Sequence, residues 1–363
     1  MKLIIYGAKS IALVVYKTLS LLYSDYEIIC FMVKSLENNP VVLDKLQVRE
    51  LQEISGMLSE FQKREIHVLI GTPEVLHIEI EEDLKQQGFY NYTCIDSKKL
   101  AVLLKEYYEA KCIFPSLHNI KKGEKKANLC VIMSKFHKDK ILKNKVVFPE
   151  WIHSLQVGAD LTELRVAKYV DNIGENISSK NENYCELTGL YWLWKQLENS
   201  EKDKIIEKAE YYGLFHYRRI LDINEEDLFR LIENDVDVIL PYPLIHEPDM
   251  REHHTRYILE EDWETMIKIL LNVYPEYKEI LSEVFSQPYL CNYNIIVAKA
   301  EVLKNYCRWL FSILEKVEKY SNPKAWERSD RYIGYLGENL LTVYFFMHRK
   351  ELKIYYTGCL MLT

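Results

Sequence analysis

The segment His216-Tyr217-Arg218-Arg219 places an imidazole and two guanidinium groups directly after an apolar run, Gly213–Phe215. In open α/β sheets, ligands bind at the carboxyl ends of strands. Two arginines there could bind a diphosphate through paired, charge-assisted hydrogen bonds. The alternative is that they form ion pairs with nearby acids such as Asp222, Glu225 and Glu226. Residue type alone leaves both interpretations open, and the candidate ligand contacts are His216, Tyr217, Arg218 and Arg219.

A polar loop that runs into an aromatic helix is the second candidate site. Its carboxylate and amide groups could bind hydroxyl groups, and the start of the helix offers free N–H donors. The alternative is structural, because Asn and Ser favour turns and Asn183 could cap the helix. Both interpretations stay open. The candidate ligand-binding residues of this region are Gln156, Val157, Gly158, Asp171, Asn172, Ser178, Asn181, Glu186 and Thr188.

The elements that must position these residues divide the chain in two. Residues 1–97 alternate short apolar segments with segments of helical periodicity, which predicts a parallel, doubly wound sheet. We therefore predict a Rossmann-like domain over 1–114, a polar and basic linker over 115–127, and a larger α/β domain over 128–363. Strands are predicted at Leu3–Tyr6, Glu27–Val33, Glu65–Ile70 and Tyr90–Ile95, with helices at Ile11–Leu22, Glu74–Gln87 and 98–113. Because the patterns on either side of the linker are independent, we expect the two domains to fold separately.

The larger domain contains more helix than the first. Its final helix is rich in Leu, Tyr and Phe and is predicted to be buried. Strands are predicted at Leu129–Met133, Gly213–Tyr217, Val236–Leu240 and Asn294–Ala298, with helices at Tyr184–Leu197, Glu226–Glu233, Glu261–Val273, Glu301–Tyr320 and Gly334–His348.

The turn after the first strand, Gly7-Ala8-Lys9-Ser10-Ile11-Ala12, matches a dinucleotide-binding turn only in its first glycine. Such turns use three glycines so that the backbone can approach a pyrophosphate and the helix can pack closely. The turn therefore favours a module kept for packing or regulation, with residual nucleotide or small-ligand binding as the alternative. A nucleotide-sugar oxidoreductase or epimerase would need to bind NAD, which Lys9 and Ala12 argue against.

Composition excludes several classes of function. A net charge of −7 argues against general nucleic-acid binding. The eight cysteines form no C-x-x-C pair, no Cys/His spacing is typical of zinc, and no run of about 18 apolar residues could span a bilayer. The turn at Gly7 comes too early for a signal peptide. These features predict a cytoplasmic protein with free thiols.

Several segments together resemble one family: Asp171–Trp194, Gly213–Arg219, Asp237–Pro243, Tyr293–Val297 and the helix that carries Arg331, Gly334 and Glu338. They are similar to a domain of unknown function that is widespread in bacterial capsular and exopolysaccharide gene clusters and is regarded as a glycosyltransferase family. The resemblance covers about 130–350, and a minor departure from it is Gly189, where alanine is more usual. It implies a GT-A-like fold and a UDP-sugar donor, with galactose or galactofuranose as the commonest sugar. The candidate residues of both ligand sites described above are accordingly assigned to donor binding. The acceptor would be a glycan or a lipid-linked oligosaccharide.

A transferase of this kind can also need a base that accepts the proton of the acceptor hydroxyl. The candidates are Glu338, Asp262, His254 and His253, and the choice stays open. Glu338 lies on an apolar helix, where an acid is costly unless it is paired or functional. The alternative for Glu338 is a salt bridge to Arg331 or Arg328. Asn294 and Arg331 belong to the segments that carry the resemblance and are assigned to acceptor binding.

No cofactor is predicted to be required. Many GT-A enzymes hold the donor through Mn²⁺ or Mg²⁺ bound by Asp-x-Asp after a strand. Here Asp235 and Asp237 precede their predicted strand, at the wrong edge for the phosphates. His216-Tyr217-Arg218-Arg219 occupies the expected place, and its cations could neutralise the departing UDP without a metal. A divalent metal remains the less favoured alternative.

Two further questions concern partners. The alternative to an enzyme is a non-catalytic, nucleotide-binding scaffold of a polysaccharide-assembly complex. The basic stretch Lys121–Lys126 is a candidate contact with anionic lipid at the inner face of the membrane, and a solvated linker is the alternative.

Overall fold

The computed structural model describes residues 1–144, 146–199, 205–323 and 327–363, which form two main β-sheets with helices packed against them. The predicted α/β fold class is confirmed. The N-terminal sheet is almost wholly parallel and the second sheet is mixed. In both sheets the carboxyl ends of several parallel strands meet along one edge. Among the described residues, no helix is both long enough and apolar enough to cross a membrane.

The N-terminal sheet has the strand order β3-β4-β2-β1-β5-β6, with the apolar strand β1 at its centre. Every strand pair is parallel except β3 with β4. The elements are β1 (Lys2–Tyr6), α1 (Ser10–Leu22), β2 (Glu27–Val33), β3 (Val42–Leu43), β4 (Leu46–Glu50), α2 (Leu51–Met57), α3 (Glu60–Glu65), β5 (His67–Ile70), α4 (His77–Gln86), β6 (Tyr92–Cys94) and α5 (Ser97–Lys111). The predicted strands and helices of this region are confirmed, and β3, β4, α2 and α3 were not predicted.

Two glycines let α1 pack closely on this sheet. Gly7 has a positive φ of 119°, and a Cβ there would lie 2.7 Å from the carbonyl oxygen of Gly71. A Cβ on Gly71 would lie 2.9 Å from the Cα of Ala12. Larger side chains at Gly7 and Gly71 would therefore push the helix away from β1 and β5. This geometry gives the incomplete glycine turn a packing role.

The second sheet has the order β16-β12-β15-β10-β7-β8-β9, and β11 joins β10 to β17. Strand β15 is antiparallel to β10 and β12, so its amino end meets their carboxyl ends. The elements are β7 (Leu129–Lys135), β8 (Ile152–Gln156), β9 (Tyr169–Val170), α6 (Asn181–Tyr184), α7 (Leu187–Glu198), β10 (Tyr211–His216), β11 (Arg219–Leu221), β12 (Val238–Pro241), β13 (Leu244–Ile245), α8 (Met250–His254), α9 (Glu260–Val273), α10 (Lys278–Phe285), β14 (Tyr289–Leu290), β15 (Ile296–Lys299), α11 (Ala300–Tyr320), α12 (Tyr332–Met347), β16 (Ile354–Thr357) and β17 (Cys359–Met361).

Two predicted helices of this region are wrong in extent. The helix predicted over Tyr184–Leu197 is broken between α6 and α7, where Cys185 adopts a positive φ of 50°. The segment Glu226–Glu233 contains only a short 3₁₀ turn over Asp227–Arg230. The prediction that the last helix is buried is confirmed, because most residues of α12 are inaccessible to solvent.

The two halves of the chain pack against each other extensively. Residues of α5 and of the second sheet belong to one continuous hydrophobic cluster. The hydroxyl of Tyr108 donates to the carbonyl of Pro243 at 2.6 Å, and its ring lies 5.8 Å from those of Tyr242 and Tyr289. This shared core argues against independent folding of the two halves. The domain boundaries stay a prediction.

The predicted linker over 115–127 follows the surface of the second half. Leu117 is fully buried there, and the amide of Gly123 donates to the carbonyl of Phe229 at 2.7 Å. Lys122 and Lys126 form ion pairs with Glu226 and Glu225 respectively. These acids partly neutralise the basic stretch that was the candidate contact with lipid.

Candidate active site

A cavity of about 640 Å³ lies where the carboxyl edges of the two sheets face each other. One wall is formed by the turns that follow β1 and β5. The opposite wall is formed by the end of β10, the residues before β15 and the first half of α12. This volume is within the range of small-molecule sites, about 300–1,000 Å³. The polar residues of the second wall include Glu186, His216, Arg219, Asn292, Arg331 and Glu338.

Glu338 is the acid on α12 that faces this cavity. Burial raises the pKa of Glu338 to about 7, and the nearby carboxylate of Glu186 acts in the same direction. Hydrogen bonds from the Tyr293 backbone and the Asn292 side chain, together with Arg219, oppose this shift of the pKa. The Nδ2 of Asn292 lies 3.5 Å from Oε2 of Glu338. A carboxyl with this pKa can accept or donate a proton near neutral pH.

Glu186 lies in the break between α6 and α7, beside His216. Its Oε1 accepts a hydrogen bond of 2.7 Å from the side chain of Asn294 and lies 3.7 Å from Nε2 of His216. Burial lowers the pKa of His216, although the charge of Glu186 opposes this shift, so the imidazole is neutral at pH 7. Asn294 is itself buried and also donates to the carbonyl of Gly334 at 3.0 Å. Asn294 therefore positions the carboxylate of Glu186. The assignment of Asn294 to acceptor binding stays a prediction.

The two arginines after β10 lie in different surroundings. The guanidinium of Arg219 faces the cavity and lies 4.2 Å from the ring centre of Tyr293. Arg218 packs at 5.3 Å from the ring of Tyr217, and neither Arg218 nor Tyr217 is among the described residues that line the cavity. Of the sequence candidates His216-Tyr217-Arg218-Arg219, the cavity thus brings together His216 and Arg219.

Arg331 is the second arginine on this wall. It precedes α12 with a positive φ of 65°, and its Nε donates to the sulfur of Cys185 at 3.1 Å. No described carboxylate forms an ion pair with Arg219 or Arg331 within 4 Å. The ion-pair alternatives considered for Glu338 are therefore not observed, since Arg328 pairs with Asp262 instead.

The polar loop around Asp171 is satisfied by its own hydrogen bonds. Asp171 is fully buried and accepts hydrogen bonds from the amides of Gly158 and Ala159, at 2.9 and 3.0 Å, and from the hydroxyl of Ser178 at 2.5 Å. The side chain of Asn181 donates to the carbonyl of Cys185 at 2.7 Å and to the hydroxyl of Thr188 at 3.0 Å. These contacts hold the helix break that presents Glu186 to the cavity.

The remaining candidates of this loop also bond within it. Gln156 contacts the backbone of Leu164 and Val166, Asn172 donates to Asp160, and the Val157 side chain is buried. Within the described parts of the chain, the lining of the cavity includes none of Gln156, Val157, Gly158, Asp171, Asn172, Ser178, Asn181 and Thr188. Their role in donor binding stays a prediction, and their contacts support a positioning role.

Two of the other candidate bases have partners of their own. His254 lines the cavity, but its Nε2 lies 2.9 Å from Glu260 and its ring stacks on Trp263 at 4.0 Å. Asp262 is buried away from the cavity and accepts a hydrogen bond of 2.7 Å from Arg328. Of Glu338, Asp262 and His254, Glu338 is therefore the one without an ion-pair partner among the described residues. His253 also lines the cavity, but burial lowers its pKa to about 2.

Asp235 and Asp237 lie at the opposite edge of the sheet, before β12, as the sequence predicts. Both carboxylates pair with Lys299, and Lys353 contacts Asp235 as well. In the chain as described, no group of three or more His, Cys, Asp or Glu residues is arranged to hold a metal ion. The metal requirement of the site stays a prediction.

The N-terminal wall contributes residues that sequence reasoning missed. The Ser10 hydroxyl lies 2.8 Å from Nδ1 of His246, and Nε2 of His246 lies 3.5 Å from Oδ1 of Asn292. Asn292 is in turn the neighbour of Glu338. No local pattern joins Ser10 to His246, because they are 236 positions apart. Asn292 was one residue outside the segment that carried the family resemblance.

Comparisons with known proteins agree with this architecture. Residues 131–350 match a family model described as "Domain of unknown function (DUF4422)". Among solved structures, the apo structure of WbbM, a bifunctional glycosyltransferase, is similar at 25% identity with a TM-score of 0.54. The match covers 65% of this chain and 45% of that chain, so the chain spans less than half the length of that protein. No curated protein matches the chain.

Proposed function

The chain belongs to the DUF4422 family, and from this premise we propose that it transfers a sugar from a UDP-sugar to a glycan or lipid-linked glycan acceptor. The similarity to a bifunctional glycosyltransferase supports this class of reaction. Galactose or galactofuranose is the proposed sugar, and capsule or exopolysaccharide synthesis the proposed setting. All eight cysteines are free, which supports the proposed cytoplasmic location, because thiols persist in reducing compartments.

The observation that carries this proposal is the position of Glu338 beside cations that lack carboxylate partners. Arg219 and Arg331 line the same cavity and would bind the donor diphosphate. This proposal gives Arg331 a donor-binding role in place of the acceptor-binding role predicted from the sequence. Guanidinium groups suit this task because they stay charged at any working pH and donate two hydrogen bonds to one phosphate. His216 is neutral and its Nε2 is buried without a hydrogen-bond partner, so it can donate a further hydrogen bond to the donor.

Glu338 would act as the base. The acceptor hydroxyl attacks the anomeric carbon, the bond from that carbon to the diphosphate oxygen breaks, and the hydroxyl proton passes to the Glu338 carboxylate. Negative charge then develops on the departing UDP, and Arg219 and Arg331 stabilise it. The carboxylate of Glu186 helps to raise the pKa of Glu338 toward neutral pH, because it is costly to ionise two nearby carboxylates at once.

These cations also support the proposal that the donor binds without a strict need for a divalent metal. Arg219 and Arg331 supply positive charge at the edge of the sheet where a metal would otherwise bind the phosphates. A cation placed beside them would be repelled. The acids of the Asp-x-Asp pair are engaged by lysines at the other edge.

Slow hydrolysis of donors tests this function directly. The full-length protein is incubated with a panel of UDP-sugars, and released UDP is measured with and without candidate acceptors. We expect one donor to be hydrolysed above background, and Glu338→Gln to lower the rate of transfer. If wild-type protein binds no UDP and hydrolyses no UDP-sugar, the proposed function is wrong and the scaffold alternative gains support.

A further inference from the structure

We propose that the turn after β1 forms a second end of the cavity that binds a phosphoryl group. This end would consist of Lys9, Arg256 and the free N–H groups at the start of α1, with His253 as a further hydrogen-bond donor. The proposal rests on the proposed glycosyl transfer, because it concerns a ligand of the same cavity. It assigns the N-terminal part of the chain a role in binding substrate.

Two cations at this end have no acid to neutralise them. Lys9 and Arg256 are both exposed and both line the cavity. No carboxylate in the described ranges forms an ion pair with either side chain. By contrast, the neighbouring Lys34 pairs with Glu79 at 2.8 Å and Asp83 at 2.9 Å. Arg256 is close enough to His246 to lower its pKa, and His246 contacts Ser10, the residue after Lys9. The two uncompensated charges therefore mark one part of the wall as a place for an anion.

The start of α1 adds backbone donors at the same place. This helix has 13 residues, no side chain caps its first turn, and that turn contains no acid. The first N–H groups of a helix have no partner within the helix, and the helix dipole favours an anion there. The residues Gly7–Ile11, which include the first two residues of the helix, line the cavity.

A buried histidine without a partner points to a ligand at this turn. His253 is 7% exposed, lines the cavity, and its Nδ1 has no hydrogen-bond partner. Its ring lies 3.7 Å from that of His246, which contacts Ser10 at the start of α1. Burial lowers the pKa of His253 to about 2, and Arg256 acts in the same direction, so the imidazole is neutral. A neutral imidazole still donates one N–H bond, and a phosphoryl oxygen would satisfy it.

The two ends of the cavity are separated by a short series of contacts. Ser10, His246, Asn292 and Glu338 follow one another at 2.8, 3.5 and 3.5 Å. The phosphoryl group at Lys9 would therefore lie two side chains away from the reaction centre at Glu338. It would belong either to an extended UDP-sugar that reaches both ends or to a phosphorylated acceptor, such as a polyprenyl-linked glycan.

Calorimetric titrations of the full-length protein separate these sources. The double variant Lys9→Ala/Arg256→Ala is compared with wild type and with the control Lys2→Ala/Arg251→Ala. Lys2 lies at the other end of β1, and Arg251 lies on the same helix as His253, so the control removes equal charge outside the cavity. UDP and farnesyl phosphate are titrated separately. All four side chains are exposed, and equal thermal midpoints establish that the variants are folded.

We expect the affinity for one of the two ligands to fall about ten-fold or more in Lys9→Ala/Arg256→Ala and to stay unchanged in the control. A loss for UDP assigns the site to the donor, and a loss for farnesyl phosphate assigns it to the acceptor. If neither ligand loses affinity in the double variant, the second phosphoryl site does not exist. Donor hydrolysis that persists in that case leaves the proposed function intact, so the two failures are distinguishable.

Discussion

Asp171 and Glu338 are both shielded acids in segments that resemble the same family, yet their surroundings are opposite. Asp171 accepts three hydrogen bonds, from two backbone amides and one hydroxyl, and lies outside the cavity. Glu338 faces the cavity, where it accepts a hydrogen bond from the Tyr293 backbone and a long contact of 3.5 Å from the Asn292 side chain. A carboxylate whose lone pairs are filled by its own loop stabilises that loop. A carboxylate that keeps unused lone pairs, and that lies beside cations without acidic partners, is available to contact substrate.

The same contrast separates the two neighbouring arginines. Arg219 enters the cavity over Tyr293, whereas Arg218 packs on Tyr217 outside it. Residue type is identical, so the difference comes from the direction in which each side chain leaves the chain after β10. Substitutions of residues that line the cavity should therefore reduce catalysis or ligand binding. Substitutions of residues that bond within their own loop should instead reduce stability.

Glu338→Gln should have the largest effect. It keeps the size of the side chain but removes the proton acceptor, so kcat should fall about 10²- to 10⁴-fold. In wild type, kcat/KM should rise with pH and level off above a pKa of about 7. The rate of transfer, measured as a function of pH for wild type and variant, gives both the fall in kcat and the pKa. A variant that retains most of its activity and the same profile would move the base elsewhere, with His254 the next candidate.

The same substitution should raise stability at neutral pH. Burial raises the pKa of Glu338 from 4.5 to about 7, so the unfolded chain loses this proton at lower pH than the folded protein does. The folded state therefore loses stability as the pH rises from about 4.5 to 7, by an amount on the order of 1–3 kcal/mol. The Glu338→Gln variant does not lose this stability, because glutamine does not titrate. Its free energy of unfolding, measured in urea, should exceed that of wild type at pH 8 and match it near pH 4.

Arg219→Ala should have the next largest effect, with Arg218→Ala as its matched control. Loss of a shielded charged contact costs about 1.5–3 kcal/mol, which weakens UDP about 10- to 150-fold. Uridine, which carries no phosphate, should bind both variants equally well. Titration calorimetry with UDP and uridine makes the comparison. Equal losses for both ligands in Arg219→Ala would show that Arg219 supports the fold or the base instead.

The sequence predicted the fold well where periodicity is local. Strand β2 over Glu27–Val33 and the long helices α9 and α11 follow directly from the apolar pattern. The break at Cys185 was missed because the helical pattern continues through it. The carbonyl of Cys185 accepts from Asn181, and the next residue, Glu186, is bound by Asn294 more than 100 positions away. Such a break is fixed by tertiary contacts, which no local pattern contains.

The candidate site was predicted only in part, for the same reason. His216, Arg219, Glu186, Arg331 and Glu338 were all identified, and all of them line the cavity. The sequence could not distinguish them from loop residues such as Asp171, because both groups are polar and belong to the same family segments. The loop residues differ from the cavity residues because their polar atoms are already hydrogen-bonded within the loop. Whether such bonds form depends on the backbone geometry around each side chain.

Asp171→Asn should have a smaller effect, on stability rather than on chemistry. Asparagine presents a donor where the loop requires an acceptor, so one backbone amide loses its partner at a cost of about 1–3 kcal/mol. The midpoint of thermal unfolding should fall, while the KM for the donor should change little in the fraction that remains folded. Asp160, an exposed acid in the same loop, provides the control Asp160→Asn. A normal melting temperature with a large rise in donor KM would instead place Asp171 in donor binding.

The smallest effect should come from removal of divalent metal. The Asp-x-Asp pair lies at the amino end of β12, where Lys299 and Lys353 already neutralise it, and the cavity lies at the carboxyl end. Arg219 and Arg331 provide the positive charge that the departing UDP requires. Transfer should therefore survive EDTA, and Asp235→Asn/Asp237→Asn should leave kcat/KM close to that of wild type. Complete loss of turnover in EDTA, with recovery on addition of Mn²⁺ or Mg²⁺, would show that the arginines do not suffice. Acids on the cavity wall, Glu186 and Glu338 first, would then be the metal ligands to test by substitution.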